Sequence, residues 1–240
     1  MTEGNGLFCD SHLHMVEQGY DERYSDIGSA AVLMACTARP DEWDVQRSIC
    51  DGRVVRSYGV HPWYPEEWND ETRDRLSSIL DSDPHAHVGE IGLDYKRGSL
   101  KDQVDPFREQ LHMASERGRV ASVHMVGTEK EVLDMVREDG RGCPSIILHS
   151  YGSDSYLKPF SETNCLFSIS PRILSRSDVR VKRLMDAIPR DRLLFETDAP
   201  HAGKVFTGMA DFVGRIASIT GEDAEQLMGI ASDNLRGILG

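Results

Sequence analysis

Eight short apolar runs, separated by amphipathic or polar stretches, recur from one end of this 240-residue chain to the other. They are Leu7–Cys9, Ala31–Cys36, Val54–Val60, His87–Leu93, Arg119–His124, Ser145–His149, Cys165–Ile169 and Arg192–Phe195. Most are rich in Val, Ile, Leu or Phe and bounded by Gly, Pro, Asp or Ser, the pattern of strands buried on both faces of a parallel sheet. Between them, Asp102–Arg117 carries Phe107, Leu111 and Ala114 at helical spacing. Thr128–Arg137 opens on a capping-box pair, Thr128 and Glu131, and continues with Val132, Leu133 and Val136. Ser177–Ala187 and Asp223–Leu239 read the same way. Eight strands alternating with helices predict a (β/α)₈ TIM-type barrel, one domain over residues 1–240, rather than an open doubly wound sheet. No Gly-x-Gly-x-x-Gly follows the first strand, so a dinucleotide-binding fold has little support.

The five cysteines, Cys9, Cys36, Cys50, Cys143 and Cys165, are odd in number and contain no Cys-x-x-Cys pair. That is poor material for a disulfide framework and fits a reducing cytosol. The start lacks the basic-then-apolar order of a signal peptide, and no apolar run approaches the roughly 18 residues of a membrane span. A cytoplasmic protein without membrane contact is expected. The net charge of −13 argues against strong nonspecific nucleic-acid binding, which rests on a basic surface. It leaves room for short or end-bound polyanionic substrates, because bound divalent cations add positive charge locally.

The first run leads into Asp10-Ser-His12-Leu-His14. Residues two apart on a strand face the same side, so both imidazoles can point into one site as a pincer for a divalent metal. Alone, such a pair is weak evidence. The chain has a second, His85-Ala-His87, expected to be a solvated loop pair ahead of the fourth strand. What distinguishes the first is the position of the other candidates. His61 follows the third strand, Glu90 closes the apolar part of the fourth, His124 and His149 end the fifth and sixth, and Asp198 follows the eighth. In a parallel barrel those carboxyl ends converge on one face, where such enzymes place their active sites. Glu90, reaching from mid-barrel, can bridge two cations roughly 3.5–4 Å apart. His12, His14 and Asp198 then complete one site, and His124 and His149 the other. A water shared by two such cations loses its proton near neutral pH and becomes a nucleophile. Mixed nitrogen and oxygen donors suit Zn, Mn, Fe or Co, with Mg less natural for so many imidazoles.

Several stretches together resemble the TatD family of metal-dependent deoxyribonucleases, within the amidohydrolase-like barrels. They are Asp10-Ser-His12-Leu-His14, Gly59-Val-His61-Pro62-Trp63, Gly89-Glu90-Ile-Gly92-Leu-Asp94, Ser122-Val-His124, Leu148-His149-Ser-Tyr151 and Asp191-Arg-Leu-Leu-Phe-Glu196-Thr-Asp198-Ala-Pro200. They occur in family order. The resemblance implies the same six metal ligands, with Glu90 bridging, and a 3'-5' exonuclease-like action on DNA ends or short single strands. It implies that His61 contacts the scissile phosphate and that Asp198 orients the nucleophilic water or takes its proton. Glu196, two residues before Asp198, faces the same interior, either hydrogen-bonded behind a ligand or paired with an arginine. Asp94 is expected to fix the loop after the fourth strand. Trp63 and Trp68 are either rim residues that stack on a base or loop packing. Tyr151 and His201 join His61 and Trp63 as candidate substrate contacts.

Three departures bear on the substrate. Many family members carry an arginine where this chain has Val126, and Cys-Phe-Ser-Gly where it has Ser150-Tyr-Gly-Ser. The family's Arg-Asn-Glu-Pro segment after Asp-Ala-Pro is missing; His201-Ala-Gly-Lys-Val-Phe follows instead. The metal-binding set is intact while the substrate-facing rim is reduced, so hydrolysis is better supported than DNA as substrate. The leading expectation is a two-metal phosphodiesterase. The alternatives are hydrolysis of an ester or amide, such as an aminoacyl ester on RNA or a small cyclic amide, and a metal-binding barrel without catalysis.

Overall fold

The computed structural model describes residues 8–18, 30–201 and 208–239. Eight strands follow one another in a single parallel sheet: β1 Phe8–Leu13, β2 Ala30–Cys36, β3 Val54–Tyr58, β4 His87–Asp94, β5 Ala121–Val126, β6 Ile146–Leu148, β7 Cys165–Ile169 and β8 Leu193–Phe195. The intervening helices are α1 Trp43–Arg47, α2 Asp70–Ser82, α3 Leu100–Glu116, α4 Glu129–Glu138, α5 Leu157–Ser161, α6 Asp178–Ala187, α7 Met209–Thr220 and α8 Ala224–Leu239. The seam between β8 and β1 is drawn together just beyond the strand end. Asp198 N donates to His12 O at 3.0 Å, and His14 N donates to Ala199 O at 2.7 Å. Lower down, Ser11 Oγ donates to Phe195 O at 3.0 Å. This is the TIM-type architecture that the alternation predicts. Among the described residues no helix is long and apolar enough to cross a membrane.

Strand periodicity explains how an apolar barrel carries a polar mouth. Met34, Cys36, Val120, Ile147, Leu166 and Leu194 form one buried cluster with Cys9 and Leu235 of α8. Their strand neighbours, such as Leu33, Ala35, Leu148, Phe167, Leu193 and Phe195, belong to the larger layer that also contains the helix residues Leu111, Val132 and Leu184. Moving two residues along from the first set reaches Ser122 then His124, His149, Ser168 and Glu196, all on the inward face. Each strand is therefore apolar at its base and polar where it opens. A register irregularity in β1 falls between Asp10 and Leu13, and His12 joins the inward set there.

Two glycines permit the close approach of the strands that carry the candidate ligands. A Cβ on Gly92, whose φ is 144°, would lie 2.0 Å from His124 O; one on Gly59 would lie 2.7 Å from Glu90 O. Neither position tolerates a side chain without moving a strand.

Several boundaries differ from expectation. β1 runs on to Leu13, whereas Leu7 lies outside the described residues, and β5 extends past His124 to Val126. The capping box at Thr128 is not formed: Thr128 Oγ1 donates to Leu93 O at 3.2 Å, tying α4 to the end of β4. His87 is not solvated. It begins β4, is buried, and accepts the Val120 N–H on Nδ1 at 3.2 Å; only His85 is exposed.

Candidate metal centre

Glu90 stands at the middle of the open end, 2 % exposed. Its two carboxylate oxygens address different imidazoles. Oε2 lies 3.3 Å from His12 Nε2 and 3.1 Å from His14 Nε2. Oε1 lies 2.8 Å from His124 Nδ1, 3.3 Å from His61 Nε2 and 3.6 Å from His149 Nε2. Asp198, just past β8 at φ 54°, brings Oδ1 to 4.0 Å from His14 Nε2. Asp is among the few residues other than Gly that adopt this left-handed backbone readily, and the turn directs its carboxylate over the mouth.

The donor atoms form three overlapping groups, each within 4.8 Å: His12–His14–Glu90, His12–His149–Asp198 and His61–Glu90–His124. All six expected ligands are thus brought together. Their grouping is less simple than two separate sets. His149, whose ring stacks on His12 with centroids 3.9 Å apart, stands with His12 and Asp198 as well as facing Glu90. Buried imidazoles and carboxylates at this density fit divalent cations, because each cation replaces the lost hydration of several donors at once. Two nitrogens of the set, His14 Nδ1 and His149 Nδ1, are buried without a well-aligned hydrogen bond, although His149 Nδ1 lies within ion-pair distance of Glu196.

The far side of the ring is held for three of these histidines. His12 Nδ1 contacts Ser122 Oγ at 2.8 Å, His124 Nε2 contacts Asp94 Oδ2 at 3.3 Å, and His149 Nδ1 lies 2.8 Å from Glu196 Oε1. Such outer contacts set tautomer and ring orientation. His61 differs. Its Nδ1 accepts the Trp63 N–H at 3.1 Å, so in the neutral ring the proton sits on Nε2, the nitrogen that faces Glu90. His61 therefore offers the centre a donor, not a lone pair.

Electrostatics follow from one buried anion among many rings. Burial pushes His61 down to about 4, against the pull of Glu90. Burial likewise lowers His12, helped by His149. At His14 the Glu90 carboxylate overrides burial and raises the pKa to about 9; at His149, Glu196 and Glu90 together raise it to about 10. Glu90 itself is held well below the usual carboxylate range by His61, His149 and His12, despite its burial. The centre is thus built to keep Glu90 ionised.

The remaining expectations resolve individually. Trp63, 39 % exposed, lines the cavity and donates Nε1–H to Asp94 Oδ2 at 2.7 Å. Asp94 does fix its loop, accepting the Lys96 N–H at 2.8 Å, and also backs His124. Trp68 is loop packing, with Nε1 donating to Glu109 at 3.0 Å. Glu196 takes the hydrogen-bonding role rather than an arginine pair. His201 lines the mouth and contacts Glu17 at 2.9 Å. Tyr151 is a correction: it is 2 % exposed and packs among core aromatics, its ring 4.8 Å from Phe167, away from the cavity. The tyrosine follows Ser150, whose φ of 47° redirects the chain after β6. Four participants were not anticipated. Ser122 could have been found by its two-residue offset from His124. Glu17 and Arg172 arrive from loops with no periodic signal, and Thr197 binds Asp10 through both N–H and hydroxyl, at 3.0 and 2.6 Å.

The sequence profile of the TatD-related DNases matches residues 9–240. The chain belongs to that family. The 3'-5' ssDNA/RNA exonuclease TatD of Erwinia billingiae is 31 % identical over 186 residues, covering 75 % of this chain and 71 % of the relative. The metal-dependent hydrolase YabD of Bacillus subtilis, named as uncharacterized, is 26 % identical over 207 residues, covering 81 % and 80 %. In fold, the chain is similar to YJJV, a TatD homologue from Escherichia coli, with a TM-score of 0.85, 18 % identity and 97 % of each chain covered. As a TatD-family member the protein is a metal-dependent hydrolase acting on ester bonds, and the donor set around Glu90 is where divalent cations fit.

Proposed function

We propose that this TatD-family protein is a two-metal phosphodiesterase that works 3'-5' on DNA ends or short single strands. The observation that carries the reading is the division of labour at Glu90: Oε2 faces His12 and His14, while Oε1 faces His124, His149 and His61. A carboxylate with a separate set of donors at each oxygen could serve two cations, which these residues would hold together. Divalent cations bound there supply Lewis acidity and lower the pKa of the attacking water.

The protein's own groups do the rest. His12, His14, His124, His149 and Asp198 would hold the cations with Glu90. His61 donates Nε2–H to a non-bridging phosphate oxygen, where the developing negative charge strengthens the bond in the transition state. Asp198 orients the attacking water and accepts its proton on a carboxylate oxygen. The cavity bounded by the described residues is small, ≈ 60 Å³, with Trp63 and His201 among its lining residues. Trp63 and His201 offer a sugar and base a surface beside the phosphate. A substrate end reaches such a site more easily than the middle of a duplex.

A second reading, hydrolysis of an ester or amide, is favoured by one observation: among the described residues lining the cavity, Arg172 is the sole Lys or Arg. A panel of phosphodiester, phosphomonoester, carboxylic ester and amide substrates, run with Zn, Mn, Co and Mg, decides between them. Turnover confined to esters or amides would overturn the nuclease reading.

A further inference from the structure

We infer that Arg172 is the substrate-phosphate clamp of this site, anchored on Asp198 and supplying the cation that the rim otherwise lacks. The inference rests on the phosphodiesterase reading and names the group that makes the site select an anionic linkage.

Arg172 lies in the 3-10 turn Pro171–Ser175 directly after β7, with Pro171 opening the turn and Ser175 Oγ donating to Arg172 O at 2.8 Å. Its Nε lies 3.3 Å from Asp198 Oδ2, the oxygen opposite the one that faces His14. The anchor therefore uses the edge of Asp198 that is not turned toward the histidines. The contact with Asp198 is an ion pair through Nε, and the side chain is 58 % exposed at the cavity. A guanidinium fixed at Nε presents its two terminal NH₂ groups as a planar fork, the geometry that matches two oxygens of a phosphate.

Neighbouring cations are engaged elsewhere. Arg97 stacks over the Trp63 ring at 4.4 Å, and Arg39 is bound to Glu67 at 2.6 Å. Val126 leaves the end of β5 without a cation at that position. A phosphodiester carries one delocalised negative charge beyond what a carboxylic ester or amide carries. Arg172 is the described lining group with permanent charge to meet it.

The test uses metal-loaded protein and equilibrium binding, which needs no turnover. The ligands are a dithymidine with a phosphorothioate linkage, which is charged, and one with a methylphosphonate linkage, which is not. Wild type is expected to favour the charged ligand by about 10- to 100-fold, the range for a charge-assisted bidentate contact. Arg172→Ala should lower that preference by about 10-fold, the cations supplying the remainder, Arg172→Lys should recover part of the difference, and free guanidinium should restore it in the alanine variant. Metal content and Tm, measured on each variant, separate the clamp from support of Asp198. An unchanged preference in Arg172→Ala, or a loss equal for both ligands, would overturn the inference. Arg172-dependent preference in a protein that cleaves no phosphodiester supports the clamp and sinks the nuclease reading. Phosphodiester turnover with preference independent of Arg172 does the reverse.

Discussion

Glu196 Oε1 lies 2.8 Å from His149 Nδ1 and at the same time accepts the Ser150 N–H at 2.8 Å. One oxygen thus fixes both the ring and the backbone turn that follows β6. Glu196→Gln keeps the shape and removes the charge behind the imidazole. Metal affinity or turnover should fall by about 10- to 100-fold, the usual cost of losing such an outer contact. Metal titration of the apoprotein checks this; an affinity within about twofold of wild type would reduce Glu196 to a structural acid.

Elemental analysis after saturation with Zn or Mn should find two ions per chain. Glu90→Gln, which halves the bridging capacity, should lower that number. His85→Ala should leave it unchanged, because His85 is exposed at the other end of β4 from Asp94. A single ion in saturated wild type would refute the two-metal centre.

Asp198→Asn should abolish turnover, since it removes an anionic donor, the proton acceptor and the anchor of Arg172 together. His61→Ala should retain the metals. Its loss of kcat, about 10²-fold or more by analogy with removed oxyanion donors, should appear chiefly on phosphate substrates. Equal losses on a phosphodiester and an uncharged ester would contradict hydrogen bonding from His61 Nε2 to phosphate.

His87 makes the fold sensitive to acid. Burial, then Arg119 and His85, hold its pKa down at about 4, while an unfolded histidine titrates near about 6.5. Above about 6.5 both states are neutral and His87 adds no pH dependence. As pH falls from about 6.5 to about 4, the unfolded chain takes up a proton that the folded one refuses. Stability should decline across that window by up to about 3 kcal/mol. The comparison is urea unfolding of wild type and His87→Gln from pH 7 to 4. The difference between the two curves isolates His87 from other titrating groups, and parallel curves would disprove the assignment.

Salt dependence reports how many phosphates the surface grips. With net charge −13 and, among the described residues, a single Lys or Arg lining the cavity, the log–log slope of KM against salt should be only about one or two in magnitude. Each phosphate neutralised on a single strand contributes roughly 0.7. The measurement compares a dinucleotide with a longer strand at saturating metal. A slope that steepens with strand length, or efficient nicking of closed circular duplex, would rule out end-directed cleavage.

The barrel and the meeting of its His, Glu and Asp side chains at one face were legible in the sequence because their signals are local. Val, Ile and Leu runs bounded by Gly and Pro mark buried strands, and the parallel arrangement sends every strand's carboxyl end to one face. Once that is granted, His12, His14, Glu90, His124, His149 and Asp198 must converge, whatever the loops do. The two-residue period even carries Glu196 inward with Asp198's strand. Other features depend on how distant segments meet. Tyr151 stands next to Ser150 in the chain but is sent into the core by the turn after β6, so proximity to His149 misplaced it. His87 was expected to be solvated although it opens the fourth run, because nothing in His85-Ala-His87 encodes the Val120 N–H that it accepts. Arg172 follows β7 with no motif around it, and its pairing with Asp198 exists only because β7 and β8 are neighbours in the closed sheet. Which proton His61 carries is likewise decided by the Trp63 amide folding back onto Nδ1. Periodicity and motif chose the strands and the donors; packing across the barrel chose each donor's partner, because hydrogen bonds and ion pairs act over a few ångströms of space and take no account of distance along the chain.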